Sequence, residues 1–192
     1  NTLTTSMIVV PATAFDAPFA FDGIMTTDFQ DVSVQGDISY TISDYERASR
    51  MVDFSYKNTK KENQTVLAEA KQKMAKRMIN LAKVYATKFM STRDVRTAMI
   101  SGDALAEALR ENLKQDMTMR EFGLELISVS ILGILAKPDT QKALEAATRE
   151  EILRQEDVAI YKLRNAAIEQ ERIVTENELN TEISIAEKEK EK

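Results

Sequence analysis

The chain has 192 residues, with 26 Lys or Arg against 31 Asp or Glu and a formal net charge of −5. It lacks the basic footprint of a nucleic-acid binder. Without a single His or Cys, it can form neither a Ser-His-Asp nor a Cys-His centre, and neither a thiolate metal site nor a disulfide.

No apolar run reaches the ~18 residues that a membrane span requires. The N-terminal forty residues carry strand signals. Met7, Ile8, Val9 and Val10 form a short β-branched run stopped by Pro11. Residues 15–21 are aromatic and turn-rich, closed by Asp22 and Gly23. Residues 31–42 then alternate: Val32, Val34, Ile38, Tyr40 and Ile42 share one side with Gly36, and polar residues take the other. Period two over a dozen residues predicts a strand with one wet face.

A short helix is expected after Ser43 or Asp44 as N-cap, followed by a polar loop over residues 57–63. Over residues 64–90 the pattern becomes helical, with Leu67, Met74, Met78, Leu81, Tyr85 and Phe89 on one face. The methionines there are read as core. Residues 91–94 match a capping box that would start another helical turn. Leu105, Leu109 and Leu113 define a further amphipathic helix, and Gly123 closes the helical region. Residues 123–136 are the most apolar stretch, too short to span a bilayer and broken by Glu125, Ser128 and Ser130. They predict a second buried strand.

Pro138 and Asp139 suit the first turn of a helix. From there to Lys192 no Gly or Pro intervenes, and Glu145–Arg149 and Glu150–Arg154 have the favourable i,i+4 order. A helix of this length would extend roughly 80 Å, against a radius of gyration of about 14 Å for the preceding residues, so it is expected to project. Its apolar residues keep no good heptad. An eleven-residue spacing of Ile152, Leu163, Val174 and Ile185 fits better and implies parallel helices with a right-handed supercoil. The expected division is 1–137 and 138–192. Asn1 in place of Met, and Lys192 inside a helical pattern, lead us to expect that both ends are cut.

The order of these elements resembles the SPFH (PHB) domain of stomatins, prohibitins and flotillins. Met25-Thr26-Thr27-Asp28 followed by the strand to Tyr40 and by Ser43-Asp44-Tyr45-Glu46-Arg47-Ala48 is similar to that family's "T-x-D, V-x-V-x-x-x-x-x-Y" strand and D-x-x-x-A turn. Phe122-Gly123-Leu124-Glu125-Leu126-Ile127-Ser128-Val129 resembles its "G-I-x-(V/L)-x-x-V" strand. Lys137-Pro138-Asp139 resembles its exit into a coiled coil. The resemblance implies a membrane-associated scaffold that forms homo- or hetero-oligomeric rings or cages. It implies a membrane anchor upstream of Asn1, with the cytoplasmic face favoured. It supplies no catalytic residues and no cofactor.

Individual residues admit other readings. Asp31 and Asp37 share a strand face but lie roughly 20 Å apart at ~3.3 Å per residue, too far for paired-carboxylate chemistry at about 5–10 Å. Glu107 and Glu111 sit opposite a leucine face and read as solvated. Phe15, Phe19 and Phe21 fall on one side of an extended segment. They are either sheet core or aromatics that dip into a membrane interface. In the long helix, Ile152, Ile160, Leu163, Val174 and Ile185 are the candidate oligomer interface.

The expectation is therefore an α+β fold, a twisted and mostly antiparallel sheet with packed helices, followed by a long coiled-coil helix. The expected function is a non-enzymatic scaffold that homo-oligomerises and organises membrane microdomains. Its partners would be copies of itself, a paralogue and the lipid bilayer. The alternative is a regulatory subunit that encloses and gates an integral membrane protease. A hydrolase is the reading from another class, disfavoured by the missing His and Cys.

Overall fold

The structure is a computed structural model that describes residues 7–190. The two chain ends, on which the expectation of cut termini rests, lie outside them. The chain divides into two compact units, Asn1–Gln141 and Lys142–Lys192.

The first unit is a three-stranded antiparallel sheet in the order β1-β2-β3. Its strands are β1 (Phe15–Met25), β2 (Asp31–Ile42) and β3 (Leu124–Ala136). The alternation in β2 holds as expected, with every second residue from Val32 to Ile42 buried. Strand β1 is longer than the aromatic run suggests. Asp22 and Gly23 do not close it but form a bulge between Phe21 and Ile24, where Gly23 takes φ +70°. A glycine meets that backbone requirement at no steric cost. Pro18 sits inside β1, which is tolerated because β1 is an edge strand and needs no amide donor on its outer side.

Strand β3 departs from the buried strand that was expected. It is also an edge, and Ile127, Leu132 and Leu135 on it are exposed. The segment around Ile8 does not join the sheet either. Ile8 forms an isolated bridge with Ser55, and the Val9 N–H donates to the Phe54 carbonyl at 3.1 Å.

Helices α1 (Tyr45–Met51), α2 (Lys60–Met90), α3 (Val95–Ile100), α4 (Gly102–Gln115) and α5 (Met117–Glu121) all lie in the connection between β2 and β3. Three aspartates start three of them. Asp44 accepts from Arg47 N, Asp94 from Thr97 N and Asp116 from Thr118 N. Each satisfies a helix-terminal donor, at a typical benefit of ~1 kcal/mol. Two boundaries differ from the sequence reading. Helix α2 takes in residues 60–63 from the polar loop, and Ser91 ends α2 rather than starting a new turn. Asp94 takes the capping role instead, because its carboxylate reaches Thr97 N at 3.4 Å.

Helix α2 packs on β1, α4 on β3, and α3 on β3 and β2. In α4, Leu105, Leu109 and Leu113 are all fully buried, each contributing about 1.5–3 kcal/mol of transfer free energy. The buried line of α2 keeps Met74 and Met78 of the expected face as core, but not its leucines and aromatics. It runs through Ala70, Met74, Met78, Ala82, Ala86 and Met90, with Leu67, Leu81, Tyr85 and Phe89 half-buried on its flank. Alanines let the helix axis approach the sheet closely, and unbranched methionines fill the irregular gaps that remain.

The β1–β2 turn is tied down by polar bonds. The Asp28 carboxylate accepts the Thr26 hydroxyl at 2.6 Å and the Val95 amide at 3.1 and 3.3 Å. The Thr27 amide donates to the Arg93 carbonyl at 2.9 Å. Gln30 Oε1 accepts from Thr140 Oγ1 at 2.9 Å, and Lys137 forms an ion pair with Asp31. Gly123, at φ +62°, occupies a second tight junction. Its carbonyl accepts from the Ser43 and Asp44 amides, and a Cβ there would run into the Asp44 carbonyl.

The second unit is the greater part of helix α6 (Pro138–Lys190), which no Gly or Pro interrupts beyond its first residue. Arg154 bonds Glu151 at 2.7 Å rather than its i−4 neighbour Glu150. Arg172 bridges Glu169 at 2.8 Å and Glu176 at 3.0 Å. These hydrogen bonds hold the Glu151 and Glu169 carboxyls below their ordinary values. Such exposed pairs stabilise a helix only slightly.

Helices α2 and α5 are joined by a hydrogen bond at 2.5 Å from the Tyr85 hydroxyl to Asp116 Oδ2. Burial raises the Asp116 carboxyl, but the bonds donated by Tyr85 and Thr118 outweigh it and hold the group below its ordinary value. The same bond pushes the Tyr85 hydroxyl up. The depressed carboxyl contributes stability above about pH 4, lost as pH falls through its folded value, and the raised phenol contributes stability below about pH 10, lost as pH rises through its folded value. Tyr85→Phe should therefore cost about 1–2 kcal/mol near neutrality. It should also flatten the loss of stability on acidification, as read by urea unfolding at neutral pH and at about pH 3.

Candidate functional site

No group of three or more Asp, Glu, His or Cys among the described residues is placed to hold a metal ion. A cleft of about 190 Å³ lies between Val9, Phe54, Tyr56 and the first turns of α2, lined by Val66 and Leu67. That is below the ~300 Å³ at which small-molecule sites begin. Glu107 is held by Arg110 at 2.7 Å on the exposed face of α4. No helix among the described residues is long and apolar enough to cross a membrane.

The three phenylalanines proposed for membrane contact lie in β1 and point into the core. Phe15, Phe19 and Phe21 are 7%, 6% and 3% exposed. Phe15 packs on Tyr40 with ring centroids 5.6 Å apart, and Phe19 stacks on Phe21 at 4.5 Å. Gly36 makes room for them, because a Cβ there would meet the Phe19 ring and the Ser130 carbonyl. The rings are thus sheet core and present no surface to a bilayer. Their period-two spacing within a strand is the sequence signal for that placement.

The aromatic that does face solvent is Phe29, which is 81% exposed at the β1–β2 turn. Its backbone takes φ +57°, a conformation that costs a non-glycine residue about 1–2 kcal/mol. No alternation or helical period marks this residue. The only sequence signal is its place directly after the Thr26-Thr27-Asp28 motif.

Along α6 the candidate interface residues Ile152, Ile160, Leu163, Val174 and Ile185 are all between 40% and 71% exposed. At ~100° per residue, the eleven-residue column Ile152, Leu163, Val174 and Ile185 drifts by only about 60° in all. Ile168 and Leu179, also exposed, fall roughly 160–180° from Ile152. Leu153, Val158, Ile173 and Ile183 are exposed as well and point in further directions, so the apolar residues of α6 are spread around the helix rather than gathered in one stripe.

A sheet with helices on one face, the Asp28-anchored turn and a long terminal helix are the parts of the chain. The sequence profile of the SPFH domain / Band 7 family matches residues 1–173. The chain belongs to this family. Its members are generally membrane-associated, non-enzymatic scaffolds. No curated protein sequence matches the chain. The SPFH match extends beyond the sheet unit into α6 as far as Ile173, so the first part of the helix belongs to the domain's pattern.

Core and surface aromatics should separate cleanly in stability. Phe19→Ala should lower unfolding free energy by about 3–5 kcal/mol, whereas Phe29→Ala should change it by no more than ~0.5 kcal/mol. Chemical denaturation of the two variants checks both.

Proposed function

We propose that this SPFH protein is a non-enzymatic scaffold that homo-oligomerises into a ring or cage and organises membrane microdomains. The observation that carries the reading is the set of exposed apolar side chains spread around α6, Ile152, Ile160, Leu163, Ile168, Val174 and Leu179 among them. A two-stranded coiled coil needs one seam per helix. A helix with apolar residues on several sides can meet more than one neighbour, which is the requirement for every subunit of a closed ring.

The eleven-residue spacing of Ile152, Leu163, Val174 and Ile185 favours neighbours in parallel with a slight right-handed twist. Glutamates and arginines between the apolar residues, such as the Glu169–Arg172–Glu176 cluster, set the register of adjacent helices. Where the first unit meets a bilayer, Phe29 is the aromatic on hand for the interface, since aromatic rings favour that depth.

Placing charges in the eleven-residue column tests the reading. The double variant Leu163→Glu and Val174→Glu should reduce the sedimenting species from a large assembly to small ones. Thermal unfolding of the sheet unit should be unchanged. An assembly of undiminished size in analytical ultracentrifugation would remove α6 from the interface.

A further inference from the structure

Two patches of opposite charge stand out in the first unit, one on the middle and end of α2 and one on the strands. Between Ala70 and Arg93 there are seven Lys or Arg and no Asp or Glu. Lys73, Lys76, Lys83 and Lys88 stand exposed on α2 without an ion-pair partner among the described residues. The three strands hold the opposite sign: Asp16, Asp22, Asp31, Asp37 and Glu125, with no Lys or Arg. Apart from Asp31, which pairs with Lys137, none of these carboxylates has an ion-pair partner among the described residues.

The strand carboxylates lie on the sheet face turned away from the helices, since the alternate positions of β1 and β2 are the buried ones. Within the first unit that face is uncovered. It carries small residues such as Ala20, Ser33, Ser128, Ser130 and Gly133 among the carboxylates. At its rim Ile127 and Leu135 are half exposed.

We propose that the α2 face of one copy docks on the open sheet face of the next. The occupant of each surface is a second copy of this chain. Small residues let a helix lie close to the sheet, Ile127 and Leu135 supply apolar contact, and the lysines meet the carboxylates. The two surfaces differ and belong to opposite layers, so the contact is head-to-tail and repeats around a ring or along a filament. A bilayer would account for the lysines alone, whereas a second copy accounts for both layers. The inference rests on the proposed assembly and names a contact within it that does not involve α6.

Charge exchange between two full-length variants tests it. One variant carries Lys76→Glu and Lys83→Glu, and the other carries Asp37→Lys and Glu125→Lys. None of the four side chains makes a hydrogen bond or ion pair among the described residues, and circular dichroism and thermal unfolding verify the fold of each. Each variant alone should self-associate at least ~10-fold more weakly than the parent, because like charges now face one another. Mixed in equal amounts, they should regain association, since every helix then finds a sheet of opposite sign. The parent's association should weaken as salt rises from ~0.05 to ~0.5 M.

Parent-like association of either variant alone, or no recovery on mixing, would overturn the proposal. So would loss of binding to anionic vesicles by the lysine variant with its self-association intact, which would assign α2 to a membrane surface. If the unaltered protein itself sediments as a monomer, the scaffold reading falls first, and the two failures are thereby told apart.

Discussion

The three-stranded sheet buries one of its two faces, and the rest of the first unit follows from which face that is. Three strands hold together in water only when a hydrophobic face packs against something. Here the covered face carries Phe15, Phe19 and Phe21 from β1 and the Val32-to-Ile42 alternation from β2. Those rings need depth, which Gly36 provides by having no side chain beneath Phe19. They also need a close lid, which explains why α2 turns alanine and methionine toward them. Leu105, Leu109 and Leu113 seal the β3 side in the same way.

Polar bonds then set the geometry that burial alone leaves free. The hydrophobic effect is non-directional, so it does not fix where a turn points. The Thr26–Asp28 pair does so by capturing the first amide of α3. Gln30 and Asp31 extend the same turn to the start of α6 through Thr140 and Lys137. The motif through which the sequence resembles its family thus has a mechanical role. It joins the sheet, a short helix and the origin of the long one at a single turn.

Legibility in the sequence tracks how local the cause is. The β2 alternation, the α4 leucines and the Asp44 cap depend on spacing or on a neighbour three residues away, and all are readable. On α2 the core methionines Met74 and Met78 are readable but the alanines beside them are not, because alanine carries no apolar signal and its value there comes from the sheet it approaches. Ser91 and Asp94 both suit a cap by composition, and only the fold of the intervening turn decides between them. The exposed residues of β3 read as buried because hydropathy does not report that a strand lies at an edge. Chemistry is bounded well by the missing His and Cys. The surfaces are harder: the phenylalanine trio offers two readings that only burial separates, and Phe29 has no periodicity to announce it.

The turn at residues 26–30 has a consequence for how the chain comes together. Its bonds reach 67 residues forward from Asp28 to Val95 and 110 residues forward from Gln30 to Thr140. Closing loops of that span carries an entropic cost that nearby pairings such as β1 with β2 avoid. The hairpin can therefore form early during synthesis while its tip stays unsecured. Val95 can secure it once α3 is made, and the bond from Thr140 to Gln30 must wait for the first turn of the helix that follows the sheet unit.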